Sequence, residues 1–216
     1  MTRNARFSRS TALFLLAALG GTSFGCGEVA RTGRSPAMLI LDSLEAAQGA
    51  EDDQFTTNLL SDVQTLVQTQ VNGQTITVPT IFNDLGRATF RLALKNPGVP
   101  TSPLGPTTLN EITITRYRVN FVRSDGRNTP GVDVPYGFDG AFTLTVPATG
   151  SAQAGFDLVR HQAKAEPPLR NLVGGGSARF ISTIAEITFF GRDQAGNEVS
   201  VTGSINVNFG DWADPD

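Results

Sequence analysis

Val199-Ser200-Val201-Thr202-Gly203-Ser204-Ile205-Asn206-Val207-Asn208-Phe209 is the stretch that decides the fold. Val199, Val201, Ile205, Val207 and Phe209 share one parity, while Ser200, Thr202, Ser204, Asn206 and Asn208 take the other. Successive side chains of a strand point to opposite faces, so this spacing puts one face in a core and the other in water. Just upstream, Asp193-Gln194-Ala195-Gly196-Asn197 forms a turn in which Gly196 can take a left-handed conformation, so the strand ending near Gly191 returns antiparallel.

The same period runs outward through the chain. Ala88, Phe90, Leu92 and Leu94 alternate with Thr89, Arg91, Ala93 and Lys95, and Phe142, Leu144 and Val146 alternate with Thr143 and Thr145. Between Ile112 and Phe121 the apolar set jumps from even to odd positions, which predicts a β-bulge near Thr115-Arg116. Phe180 and Ile184 are even while Ile187 and Phe189 are odd, which predicts either a second bulge near Ala185-Glu186 or a strand with both faces partly covered. Asn72-Gly73, between Leu66–Val71 and Gln74–Val78, is the preferred pair for a tight type I′ hairpin. Segments near Met38–Leu41, Asn58–Val63 and Phe156–Gln162 bring the total to about nine strands, separated by breakers such as Asn96-Pro97-Gly98 and Gly174-Gly175-Gly176. The expectation is an all-β fold, an enlarged antiparallel sandwich over residues 37–216, with a barrel as second choice. Two small sandwiches are the alternative division, but no internal repeat favours them.

The stretch from Glu186 to Phe209, a strand, an Asp-x-x-Gly-Asn turn and a strand, resembles the last hairpin of bacterial immunoglobulin-like domains. The resemblance implies an immunoglobulin-like sandwich. The antibody pattern of paired cysteines around a central Trp is missing, since the chain has one Cys and its one Trp is Trp212.

At the N-terminus, Arg3, Arg6 and Arg9 precede the apolar run Ala12–Leu19 and the small residues Gly20-Gly21-Thr22-Ser23, the order of a secretory signal over residues 1–25. That run is about half of the ~20 residues a membrane-spanning helix needs. The single cysteine follows in Ser23-Phe24-Gly25-Cys26, which resembles the lipobox of a bacterial lipoprotein precursor, although Ser23 stands where that family usually has Leu. The resemblance implies lipid attachment at Cys26, a tether over residues 26–36, and, with Gly27 rather than Asp after the cysteine, an outer-membrane address. The tether's ten residues from Gly27 to Pro36 reach at most ~35 Å. A periplasmic or secreted protein keeping a free thiol is the alternative. Cleavage before Cys26 would remove three Arg and no acid, so the lipid rather than charge would hold the body to an anionic bilayer.

Composition narrows the chemistry. Lys and Arg number 17 against 20 Asp and Glu, with no basic block, which sets nucleic acid aside as a partner. One His and one Cys exclude multi-His or multi-Cys zinc sites and disulfide scaffolds. A Ser-His-Asp set would need His161, yet no Gly-x-Ser-x-Gly elbow accompanies it, and a strand histidine is the simpler reading. Asp125, Asp133 and Asp139 in the loop Ser124–Gly140 offer hard oxygens for calcium, though Asp125-Gly126 and Asp139-Gly140 are also ordinary turn pairs. Arg116 and Arg118 share strand parity and could grip an anionic partner or simply solvate a sheet face. The Ser124–Gly140 loop also concentrates Arg127, Tyr136 and Phe138, residue types that dominate interfaces. They are the expected binding residues unless the two aromatics fold back as a plug. The expected function is a non-enzymatic envelope lipoprotein that binds a protein or glycan, or gives structural support. A carbohydrate-active hydrolase using loop carboxylates is the alternative.

Overall fold

The computed structural model describes residues 33–51, 53–176 and 179–212. The expected signal, Cys26 and most of the tether lie outside them. Among the described residues, no helix is long and apolar enough to cross a membrane.

The fold is all-β. Strands β1 (Ala37–Ala47), β5 (Asp84–Leu94) and β10 (Ala152–Val159) form an antiparallel sheet in the order β1-β5-β10. Strands β2 (Asn58–Asp62), β8 (Ile112–Val122), β9 (Phe138–Val146), β11 (Phe180–Asp193) and β12 (Glu198–Gly210) form a second, in the order β2-β12-β11-β8-β9. Two hairpins stand apart from these sheets: β3 (Thr65–Val71) with β4 (Gln74–Thr80), and the short β6 (Gly98–Val99) with β7 (Ser102–Pro103). Among the described residues, twelve strands replace the expected nine or so, partly because the short pair lies in a stretch whose Pro and Gly read only as breakers.

The inner faces of the two sheets meet in one apolar core. Phe90 and Phe156 come from the smaller sheet, and Tyr117, Phe142 and Phe189 from the larger. Edge-to-face contacts bridge them, with ring centroids 4.8 Å apart for Phe90–Phe189, 5.0 Å for Tyr117–Phe156 and 5.3 Å for Phe156–Phe189. The rings lie close to backbone: a Cβ on Gly86 would meet the Phe156 ring, and one on Gly140 the Tyr117 ring. Glycine at these two strand positions is thus what admits the aromatics.

The expected bulge in β8 is present, with the pairing to β9 shifting between Ile114 and Arg116. The expected hairpin turn is present too, Asn72 and Gly73 both having positive φ, 51° and 78°. One choice left open is decided and two expectations need correction. First, β11 pairs with β12 without a shift from Phe180 to Arg192, and its buried side chains are the odd ones from Thr183 to Asp193. Phe180 and Ile184 face outward, and Phe180 lies beside Trp212 at 6.4 Å. Second, the sheets are not wholly antiparallel. β2 runs parallel to β12, Asn58 opposite Asn206 through Asp62 opposite Gly210, because the chain leaves the first sheet after β1 and returns alongside its own last strand. Third, the segment expected to stay extended through Gln162 ends at Val159, and His161–Lys164 forms a one-turn helix, α1.

Asp193 holds the last hairpin closed. Its carboxylate accepts the backbone N–H groups of Ala195 and Asn197 at 3.0 and 2.8 Å and the Asn197 side-chain amide at 2.9 Å. Burial alone would raise the Asp193 carboxyl, but these bonds and one from Ser35 outweigh it and hold it below its ordinary value. A lowered folded-state value means that this contribution is complete above the unfolded value of 3.8 and is lost as pH falls through the folded one. Asp193→Ala is therefore expected to cost about 1.5–3 kcal/mol at neutral pH. Urea melts should show the gap to the parent closing as pH falls below 3.8 and through the lower folded-state value.

Candidate functional site

The loop leading into β9, the β10–α1 junction and the residue before β5 converge on a cleft of about 510 Å³ at one end of the sheets. Tyr136, Phe138, Asn83, Asp157, Arg160, His161 and Glu166 are among its lining residues.

Asn83 organises the floor. Its Oδ1 accepts the backbone N–H of His161 at 2.7 Å and lies 2.9 Å from His161 Nδ1, while its Nδ2 donates to Asp157 Oδ1 at 3.3 Å. Because the atom that accepts a backbone N–H must be the amide oxygen, His161 Nδ1 is the donor in this contact. Arg160 forms the wall: its guanidinium lies 3.9 Å over the Phe138 ring and donates to the Asp139 carbonyl at 2.9 Å. Tyr117 reaches up from the core to donate to the Asp157 carbonyl at 3.0 Å, and burial is the main reason its phenol is shifted upward.

The Ser124–Gly140 loop divides the two roles foreseen for its aromatics. Val134 is the buried anchor, and Gly131 N–H donates to the Val134 carbonyl at 2.8 Å. Tyr136 lies across Gly131, where a Cβ would meet its ring, and stays 59% exposed at the rim. Phe138 is half-buried, edge-on to Tyr117 at 6.1 Å. Tyr136 is thus displayed on a braced loop while Phe138 closes the core beneath it.

Arg127, the third expected binding residue, is not among the lining residues. It folds onto Asp125, whose Oδ2 it meets at 3.0 Å and which Arg123 also grips at 2.6 Å. Those guanidiniums hold the Asp125 carboxyl well below the usual range, the Arg123 bond contributing most. Asp139 is held in the same way by Arg118, at 2.9 and 3.0 Å, with Arg116 at 3.4 Å. Its carboxyl is lowered too, mainly by the Arg118 hydrogen bonds. Asp133 Oδ2 accepts the Thr129 N–H at 3.2 Å. The expected calcium ligands therefore do not converge: two are neutralised by Arg and the third braces its own turn. Among the described residues, no three His, Cys, Asp or Glu side chains gather as a metal would need. Of the two roles left open for Arg116 and Arg118, a grip on an anionic partner or a solvated sheet face, the geometry favours the second: both guanidiniums lie half-exposed beside Asp139, and that of Arg116 also lies 3.9 Å over the Phe190 ring.

Behind the cleft lies a buried charge pair that the sequence reading missed. Lys164 Nζ donates to Asp84 Oδ1 at 2.7 Å, with the two side chains 1% and 0% exposed. Ser61 Oγ donates to Asp84 Oδ2 at 2.6 Å and the Gly49 N–H to Oδ1 at 3.1 Å. Burial pushes the Asp84 carboxyl up, against the pull of Lys164 and these donors. The pair ties α1 to β5 and β2. Asn83 and Asp84 are chain neighbours, one facing the cleft and the other the lock behind it.

Asn83, Arg160 and Glu166 were not foreseen as site residues. Asp157-x-x-Arg160-His161, polar residues gathered at a strand end, is the signal that could have found them. Comparison with protein families, curated proteins and solved structures finds no match to this chain.

Proposed function

We propose that this chain is a non-enzymatic, lipid-anchored protein of the cell envelope whose immunoglobulin-like sandwich binds a partner in the Tyr136 cleft. The observation that carries the binding role is Tyr136 itself: an aromatic ring held exposed at the rim of a cleft of mixed polar and apolar lining by a loop anchored through buried Val134. Pre-positioned aromatics over a rigid scaffold give binding surface at small entropic cost. The strand order supports the immunoglobulin-like reading. β1-β5-β10 correspond to strands A, B and E, and β12-β11-β8-β9 to G, F, C and C′ of the variable type, with β2 added beside G. The lipid anchor rests on the signal-like residues 1–25 and on Cys26. A hydrolase working through the loop carboxylates has less in its favour, since Asp125 and Asp139 are already held by Arg.

Two experiments test this reading. Tyr136→Ala is expected to leave the stability within about 0.5 kcal/mol of the parent while abolishing capture of the partner from solubilised envelopes. Phe138→Ala should cost roughly 1–2 kcal/mol, less than a fully buried aromatic. Equal stability losses for both would make the loop a plug rather than a binding surface. Cys26→Ser is expected to release the folded protein from membranes and end incorporation of labelled fatty acid. If the variant stays with the envelope fraction, the anchor is elsewhere.

A further inference from the structure

The β3–β4 ribbon is unlike the rest of the surface. No charged residue lies between Asp62 and Asp84, in a chain whose net charge is -3. The ribbon joins neither sheet, and nearly all of its residues beyond Thr65 are exposed or half-exposed. A lone two-stranded hairpin is marginal in water and gains most from a third strand.

The register says which edge is open. The turn at Asn72-Gly73 makes Val71 and Gln74 the first hydrogen-bonded pair, followed by Thr69 with Ile76 and Val67 with Val78. The main-chain groups of Gln68 and Gln70 therefore point away from β4, as do those of Thr75, Thr77 and Pro79 on the other side. Proline has no N–H to offer, so Pro79 blunts the β4 edge in the way edge strands are commonly protected. Gln68 and Gln70 leave the β3 edge able to pair. The same alternation puts Val67, Val71, Ile76 and Val78 on one face, and the last three are exposed.

We propose that this ribbon pairs with the same ribbon of a second copy, β3 against β3 antiparallel about a two-fold axis at Thr69. That register sets Gln68 opposite Gln70 of the second copy and Val67 opposite Val71, giving a four-stranded sheet whose one face gathers Val67, Val71, Ile76 and Val78 of both copies around the two Thr69 side chains. Charge favours this occupant over others. Two acidic copies meet without like-charge repulsion only through an uncharged surface, and a charged partner would find nothing here to answer its charge. A lipid bilayer is a poor fit, because open strand edges are not tolerated in hydrocarbon and the ribbon has no cation for headgroups.

Sedimentation velocity on the full chain carrying Cys26→Ser, which removes the lone thiol, should show a concentration-dependent dimer. Adding Gln68→Pro gives the β3 edge the same block that Pro79 gives β4. It should weaken the dimer at least ~tenfold while leaving the thermal midpoint unchanged, since the Gln68 N–H does not bond β4. Thr69→Cys should cross-link two chains under mild oxidant, whereas Thr77→Cys on the opposite edge should not. A chain that stays monomeric at every concentration overturns the proposal, including one that takes up a strand from a different protein. So does a dimer that Gln68→Pro leaves intact, or one that Thr77→Cys cross-links as readily as Thr69→Cys.

Discussion

Replacing Lys164 with Met is expected to destabilise the fold by about 3–5 kcal/mol, because it leaves the Asp84 carboxylate buried without its counter-charge. Ser61 and Gly49 still donate to that carboxylate, but neither cancels its charge. Stabilities of ordinary domains run to only about 5–15 kcal/mol, so the loss would be a large share of the whole. The double variant Lys164→Met with Asp84→Asn should recover most of it. The amide oxygen can still accept the Gly49 N–H, its NH₂ can donate to Ser61 Oγ, and no charge remains to be paired. The pH dependence follows from the direction of the Asp84 shift. A carboxyl raised in the folded state contributes most below its unfolded value of 3.8, and that contribution is lost as pH rises through the folded one. Without Lys164 the folded value rises further, so the deficit should be largest at neutral pH and shrink on acidification. Urea melts of the parent, both single variants and the double variant at two pH values check this. A deficit that is flat in pH would mean that lost side-chain volume, not unpaired charge, sets the cost.

The same substitution reaches the cleft. Lys164 fixes α1, whose first residue is His161, and Asp84 fixes the strand start beside Asn83, so the 2.9 Å contact between His161 and Asn83 depends on the lock behind it. Stability and partner binding should therefore fall together in Lys164→Met, whereas Tyr136→Ala separates them.

What the sequence made legible follows from where one face is buried and the other wet. The alternation from Val199 to Phe209 and from Ala88 to Leu94 reports burial directly, and the parity jump around Thr115 locates a bulge because both halves of β8 face one core. The same rule left Phe180 and Ile184 undecided between a bulge and a strand with both faces partly covered; the unshifted pairing with β12 and Trp212 beside Phe180 on the outer face fit the second. The parallel pairing of β2 could not be read, because five residues carry too little pattern to name a partner 148 positions away. The cleft was hidden for a related reason: Asn83 and His161 are separated by 78 positions, and Asn carries no periodic signal. Lys164 was passed over because lysine is almost never fully buried. Only the fold shows that a carboxylate 80 positions earlier waits for it.

Phe189→Ala should be the costliest apolar truncation, and paired with Phe180→Ala it tests the face assignment of β11. Phe189 is fully buried and meets Phe90 at 4.8 Å, Phe156 at 5.3 Å and Phe142 at 5.5 Å, so its ring joins both sheets. Removing it deletes apolar burial and edge-to-face contacts and opens a cavity that two sheets of paired strands cannot easily close, a loss of about 3–5 kcal/mol. Phe180 lies on the same strand nine residues away but 58% exposed on the opposite face, with Trp212 as its ring neighbour. The identical change there should cost less than about 1 kcal/mol. Chemical denaturation of the two variants gives the comparison, with an unchanged m-value expected for both. Comparable losses would mean that Phe180 also faces the core, which requires a bulge in β11 between them and returns the parity change to its first reading.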